Sequence, residues 1–188
     1  MGCLAYFRCK VHYVKKESMQ PVNLRAFHAK VKKHAKGMRA FLTRVVNKPP
    51  RKLEATLAVI DQEVWQEVDC LSCANCCKKM TPTFTDKDVV RISKHLGMTK
   101  AAFQEKWLYL DRSDDWINRR QPCQFLDGKT NMCSIYEVRP SDCASFPHLT
   151  RKPFTDYLPW HRQNIQYCPA TYRMVEKLRE RLATLQPR

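Results

Sequence analysis

The stretch Cys70-Leu71-Ser72-Cys73-Ala74-Asn75-Cys76-Cys77 places four thiols within eight residues. A disulfide needs a particular Cα separation and Cβ direction, which thiols so close along a chain cannot easily meet with one another, whereas they can converge on a metal ion or cluster. The segment therefore reads as a metal site. Adjacent residues such as Cys76 and Cys77 project in different directions and rarely ligate one mononuclear ion together without strain, which favours two centres or one polynuclear centre. Four more cysteines, Cys123, Cys133, Cys143 and Cys168, follow singly at wide spacing. In number the eight match two tetrahedral four-cysteine sites, which is the zinc solution; in a mixed solution four hold one ion and the rest are core or redox thiols.

Iron–sulfur chemistry competes with zinc. Cys70, Cys73 and Cys76 reproduce the first three positions of the ferredoxin run Cys-x2-Cys-x2-Cys-x3-Cys-Pro, with Cys168-Pro169 standing far downstream in place of the fourth, but Cys77 interrupts the pattern. Two histidines could replace a thiolate in a Cys3His site: His148, five residues after Cys143, and His161, seven before Cys168. Elsewhere the motifs are negative. The chain has four glycines, no phosphate-cradling loop, no Ser-His-Asp ordering and no paired carboxylates, which argues against a nucleotide fold with a glycine-rich fingerprint. No βαβ pattern surrounds a Cys-x2-Cys pair, as a thioredoxin-type redox motif would require.

A chain of 188 residues can bury an ordinary core, so the cysteines are not needed as staples. No apolar run is long enough to span a bilayer, and the N-terminus lacks the apolar stretch and cleavage site of a signal peptide. The expected compartment is the cytoplasm, where thiols stay reduced and cysteine density points to metal or catalysis rather than disulfides. The opening Met1-Gly2-Cys3 does not meet the myristoylation pattern, because Tyr6 stands where Ser or Thr is required.

Charge and periodicity divide the chain. Residues 1–52 hold fourteen Lys or Arg against the single acid Glu17, while residues 53–188 are close to balanced. Residues 1–22 read as an unstructured basic extension, with Cys3 and Cys9 outside the site and Met19 a candidate natural start. From Asn23, Leu24, Phe27, Val31, Met38, Phe41, Leu42 and Val45 recur at helical spacing with lysines between them, and Pro49-Pro50 end the run. A second pattern, Leu53, Leu57, Ile60, Val64 and Val68, completes a basic amphipathic helical hairpin over 23–69. Its charge suits an anionic partner, a nucleic acid or a membrane surface; the plain alternative is a solvated face.

Residues 70–188 form the expected cysteine-cluster domain. Thr85 before Asp86-Lys87-Asp88 predicts a capped helix closed by Gly97, and Thr99 caps another carrying Phe103, Trp107 and Leu110. Gln124-Phe125-Leu126 and Met132 to Tyr136 flank Asp127-Gly128 as a short β-hairpin. Pro169 opens a C-terminal helix with Tyr172, Val175, Leu178, Leu182 and Leu185. The fold class is α+β, mostly α: a small irregular cysteine-cluster domain with a short hairpin, preceded by a helical hairpin.

The blocks Cys70-x2-Cys73-x2-Cys76-Cys77, Pro122-Cys123-Gln124-Phe125-Leu126 and Cys133-Ser134-Ile135-Tyr136, then Arg139-Pro140-Ser141-Asp142-Cys143 and Phe146-Pro147, resemble in order the YkgJ family of bacterial cysteine-cluster proteins, described as zinc- or iron-chelating domains. The resemblance covers about residues 70–170. It implies that Cys70, Cys73, Cys76, Cys77, Cys123, Cys133 and Cys143 bind metal, with Cys168 fitting a later, less firmly placed cysteine, and it leaves zinc, iron and an iron–sulfur cluster open. A similar cluster in flagellin lysine N-methylases implies that the module can serve an iron–sulfur enzyme or accessory. A third reading is a metal-stabilised nucleic-acid-binding module using the basic arm. Within the motif, Arg139 is expected to pair with Asp142 or Glu137, and Phe125, Ile135, Tyr136 and Phe146 to form an apolar shell around the metal.

Overall fold

The computed structural model describes residues 21–151 and 153–184. Most of the expected extension, with Cys3, Cys9 and Met19, lies outside those residues, as does Leu185. In chain order the elements are α1 (Leu24–Asn47), α2 (Leu53–Glu67), α3 (Cys70–Cys73), α4 (Asn75–Lys79), β1 (Thr83–Phe84), α5 (Asp86–His95), α6 (Lys100–Trp107), β2 (Leu108–Leu110), β3 (Trp116–Asn118), α7 (Ser141–Ser145), α8 (Leu158–Tyr167) and α9 (Pro169–Thr184), with short 3-10 turns at Tyr136–Val138 and Phe154–Tyr157. The class is α+β and mostly α. Among the described residues no helix is long and apolar enough to cross a membrane.

α1 starts where the Asn23 side chain accepts the Ala26 N–H at 2.9 Å, which satisfies a donor the helix leaves open. Its stripe of Phe27, Met38, Phe41, Leu42 and Val45 is buried, as are Leu53, Leu57, Ile60 and Val64 of α2. Each helix finds its main partner in the C-terminal half: α1 packs on α8, and α2 on α9. The first core therefore joins these stripes to Leu149, Phe154, Ile165 and the α9 positions Tyr172, Met174, Val175 and Leu178. Each large apolar side chain fully buried there stabilises the fold by about 1.5–3 kcal/mol. At the α2–α9 seam Lys177 reaches Glu63 at 3.1 Å and Glu67 at 2.7 Å, and Arg181 pairs with Glu63. Such partly exposed pairs fix register more than they add stability.

The second core gathers Phe84, Val89, Ile92, Phe103, Leu108, Phe125 and Ile135. Thr85 caps α5 in a capping box with Asp88, and Gly97 follows the helix at a φ of 65° that an L side chain would resist. A three-stranded antiparallel sheet in the order β1-β3-β2 covers this core, with Thr83 opposite Ile117 and Tyr109 opposite Ile117 on the other side.

Three local expectations are revised. The hairpin is formed by β2 and β3 around Asp111–Asp115, not around Asp127-Gly128, where pairing is limited to a single bridge between Leu126 and Cys133. There the Asp127 carboxylate accepts the Lys129 and Thr130 N–H groups, which closes a loop on itself in place of extending a ladder. The helix expected to include Leu110 stops at Trp107; Leu108 turns extended to bury its side chain, and Leu110 is left exposed in β2. α8, unanticipated, buries His161, Asn164 and Ile165 and exposes Trp160, so its inward side is too polar to give an apolar period.

Candidate metal centre

The Cys-x2-Cys-x2-Cys-Cys run folds as two short helices broken at one residue. Asp69 caps α3, accepting the N–H groups of Leu71 at 3.0 Å and Ser72 at 3.3 Å. Ala74 then takes a left-handed conformation, φ 47°, which ends α3 and starts α4 in a new direction. For a residue with a Cβ this conformation costs about 1–2 kcal/mol, and it bends Cys73 and Cys76 around one hollow. Asn75, 2 % exposed, donates from Nδ2 to the Tyr167 carbonyl at 2.6 Å. That bond holds the end of α8, and so Cys168, against the run. Cys168 sits at the start of α9, its Sγ accepting the Thr171 N–H at 3.4 Å.

Cys70, Cys73, Cys76 and Cys168 together line a cavity of about 20 Å³, with Val68 and Phe146 supplying apolar wall. Roughly 10–15 Å³ holds a water-sized occupant, so the cavity has room for an ion.

The remaining thiols, Cys123, Cys133 and Cys143, gather about Cys77. The Cys123 N–H donates to the Cys77 carbonyl at 2.8 Å, and the Leu126–Cys133 bridge brings Cys133 alongside. Asn131 Nδ2 donates to the Ser72 carbonyl at 3.0 Å, tying this loop to α3. Cys143, on α7, is within electrostatic reach of Cys77, Cys123 and Cys133. α7 is positioned from two directions. Asp88 accepts the Ser141 N–H at 3.0 Å and its hydroxyl at 2.7 Å, and Asp142 accepts the Thr83 N–H at 3.3 Å.

All eight described cysteines are free thiols. Burial pushes the Cys70 thiol up to about 12 and raises Cys73, Cys123, Cys133, Cys143 and Cys168, with neighbouring thiols adding to the rise at Cys70 and Cys143. Cys76 and Cys77, with sulfurs 3.9 Å apart, split in opposite directions: the hydrogen bond between them raises Cys76 well above its ordinary value and lowers Cys77 to about 7. Crowded thiols that resist ionising are a donor set that a thiophilic cation would deprotonate and bind. Among the described residues, no three His, Cys, Asp or Glu side chains stand grouped to hold an ion as they are. The donor chemistry therefore fits a metal, while final closure of the ligands falls to binding itself.

Neither histidine joins the thiols. His148 Nε2 pairs with Asp142 Oδ1 at 3.0 Å and its Nδ1 lies 3.2 Å from Ser145 Oγ, so both ring nitrogens are engaged. His161 is fully buried, stacked on Phe154 with centroids 4.3 Å apart, its Nε2 3.2 Å from the Phe154 carbonyl; desolvation lowers it to about 4. Arg139 turns to Tyr136, donating to its carbonyl at 2.7 Å and lying 3.9 Å over its ring, while Asp142 is taken by His148. Its charge still bears on Cys133, which it lowers against the effect of burial. Of the expected shell, Phe125 and Ile135 are buried in the second core and Phe146 lines the cysteine cavity. Asn75, Asn131, Asp88 and the Asp142–His148 pair were not anticipated as positioning groups. For Asn75 the signal was its place inside the cysteine run; the others depend on contacts across 50 residues or more, or on a local turn.

The molecule is thus a mostly helical domain whose two cores meet at a cysteine-rich joint. The chain belongs to the family described as "CxxCxxCC: Putative zinc- or iron-chelating domain", which matches residues 69–169. It is 32 % identical over 112 residues to an uncharacterized protein of Methanocaldococcus jannaschii, a match that covers 55 % of this chain and 57 % of the relative. The chain therefore spans little more than half the length of that relative. No solved structure matches it.

Proposed function

We propose that this protein holds zinc or iron through Cys70, Cys73, Cys76, Cys77, Cys123, Cys133, Cys143 and Cys168. The observation that carries the reading is that Cys168, far along the chain, lines one cavity with Cys70, Cys73 and Cys76, while Cys123 is hydrogen-bonded through its backbone to Cys77. A bound cation would neutralise the thiolates and cross-link these segments, so that binding free energy becomes folding free energy. A reducing, cytoplasmic setting suits eight free thiols. An iron–sulfur cluster is the alternative occupant of the same donors.

The test is the metal and acid-labile sulfide content of anaerobically purified protein. Colourless protein with zinc supports a zinc site, and brown protein with sulfide an iron–sulfur one. Cys73→Ser is expected to remove at least half of the bound metal and Cys9→Ser none. Equal losses in both, or no loss in the first, would sink the assignment.

A second reading concerns α1, and its charge pattern favours it. No acid occurs in Leu24–Asn47, and Arg25, Lys32, Lys33, Lys36 and Arg44 are exposed with the small exposed Ala29 and Ala40 between them. Of the basic side chains here, Lys30 has an acidic neighbour, Glu176 at 3.8 Å. The apolar face of α1 is committed to the first core and is not free to enter lipid, as a membrane-surface helix requires. A nucleic acid is therefore the proposed anionic partner.

A further inference from the structure

We infer that the eight cysteines form two four-thiolate centres, Cys70, Cys73, Cys76 and Cys168 in one and Cys77, Cys123, Cys133 and Cys143 in the other, with the boundary between adjacent Cys76 and Cys77. The inference rests on the metal-binding reading and deepens it. Each centre would take one tetrahedral thiophilic divalent ion, zinc or ferrous iron, at metal–sulfur bonds of about 2.3 Å for zinc.

Three independent features give the division. The first four cysteines, and none of the others, line the small cavity beside Phe146. Of the second four, Cys77 and Cys123 are joined by a backbone hydrogen bond of 2.8 Å, and Cys133 is bridged to Leu126 three residues beyond Cys123. The two sets also belong to different cores: Cys168 is part of the first, and Cys123 and Cys133 pack against the second.

The doubled cysteine then has a structural reason. Successive residues project differently, so α4 can offer one thiol to each side of itself. The competing arrangement has Cys76 and Cys77, whose sulfurs are 3.9 Å apart, sharing a single ion. Completed by Cys70 and Cys73, that ion would leave Cys123, Cys133, Cys143 and Cys168 as the second four, but it is Cys168 and not Cys77 that lines the cavity with Cys70, Cys73 and Cys76.

The test uses the full-length protein loaded with cadmium-113 under reducing conditions, with stoichiometry from native mass spectrometry and sites counted by cadmium NMR. Two ions per chain and two resonances in the four-thiolate range are expected. Cys168→Ser should retain one ion and erase one resonance; Cys143→Ser should retain one ion and erase the other. One ion per chain in the wild type, or the same resonance lost in both variants, overturns the division. The wild-type count needs no variant, so a misfolded substitution does not shelter the idea. Wild-type protein that takes up no cadmium sinks the metal-binding reading itself, and the division with it, whereas a single occupied site sinks the division alone.

Discussion

Asp88 has no exposed surface, yet burial does not keep it protonated. It accepts from the Thr85 N–H at 3.0 Å and hydroxyl at 2.7 Å, from the Ser141 N–H and hydroxyl, and from Arg91 Nη2 at 2.6 Å. Desolvation raises the carboxyl, but these hydrogen bonds outweigh it and bring it from 3.8 down to about 2. A depressed carboxylate contributes stability that is fully present above its unfolded pKa of about 3.9 and is lost as pH falls through the folded value, here between about pH 4 and 2. A shift of this size corresponds to about 2 kcal/mol. Asp88→Asn is therefore expected to be less stable by about that much at neutral pH, with the gap from wild type closing toward pH 2. Urea unfolding of both proteins across this range checks it, and a gap that stays constant would show that Asp88 acts by shape alone. Half of this arrangement is legible in the chain, since Thr85 and Asp88 form a local capping box. The other half comes from Ser141, 53 residues away, a pairing that no local pattern announces.

Elements were legible where a regular stripe of apolar side chains met a core. α1, α2, α5 and α9 follow their predicted stripes, because burial on one face dictates both the sequence period and the helix. α8 defied the rule because its inward face is His161, Asn164 and Ile165, with Asn164 donating to the Pro147 carbonyl at 3.0 Å. The Asp127-Gly128 turn misled because an aspartate that satisfies neighbouring N–H groups favours a closed loop over a ladder. The cysteines could be read as candidate metal ligands from residue type and spacing, but the division proposed for them depends on the Ala74 bend, which an alanine does not advertise. At this scale α1 carries a prediction of its own. Charge reversal of Lys32, Lys33 and Lys36 should abolish binding of the protein to RNA or DNA at low salt and leave metal content unchanged, because these side chains are exposed on α1, which carries no cysteine. Wild-type affinity should fall steeply with salt as counterion release weakens. A wild type that binds anionic vesicles but no nucleic acid would replace the proposed partner, and one that binds neither at low salt would make the face a solvated one.

At the scale of the whole molecule the two cores differ in what they ask of the thiols. The first is closed by the apolar stripes of α1, α2 and α9 with Ile165 of α8, and by the Glu63 and Glu67 pairs with Lys177, Arg173 and Arg181; of the described cysteines, Cys168 alone is among its buried residues. The second has fewer fully buried side chains, and its sheet strands are two or three residues long. Between them α3, α4 and α7 bury little apolar surface, the 123–133 loop is anchored mainly by Phe125, and these segments rely on hydrogen bonds such as Asn75 to Tyr167 and Asn131 to Ser72. Local opening is easiest where apolar contacts are sparse, so a metal holding these segments contributes most there. Chelation is accordingly expected to speed amide exchange at least tenfold, about 1.4 kcal/mol of lost protection, through α3, α4, residues 123–145 and the first turn of α9. α1, α2 and the later turns of α9 should keep their protection, because apolar packing holds them without the thiols. Hydrogen exchange with and without chelator, read peptide by peptide, decides the matter. Unchanged protection across residues 70–168 would make the metal a peripheral passenger, and loss spread evenly over α1 and α2 as well would mean that the two cores fold as one unit through the joint.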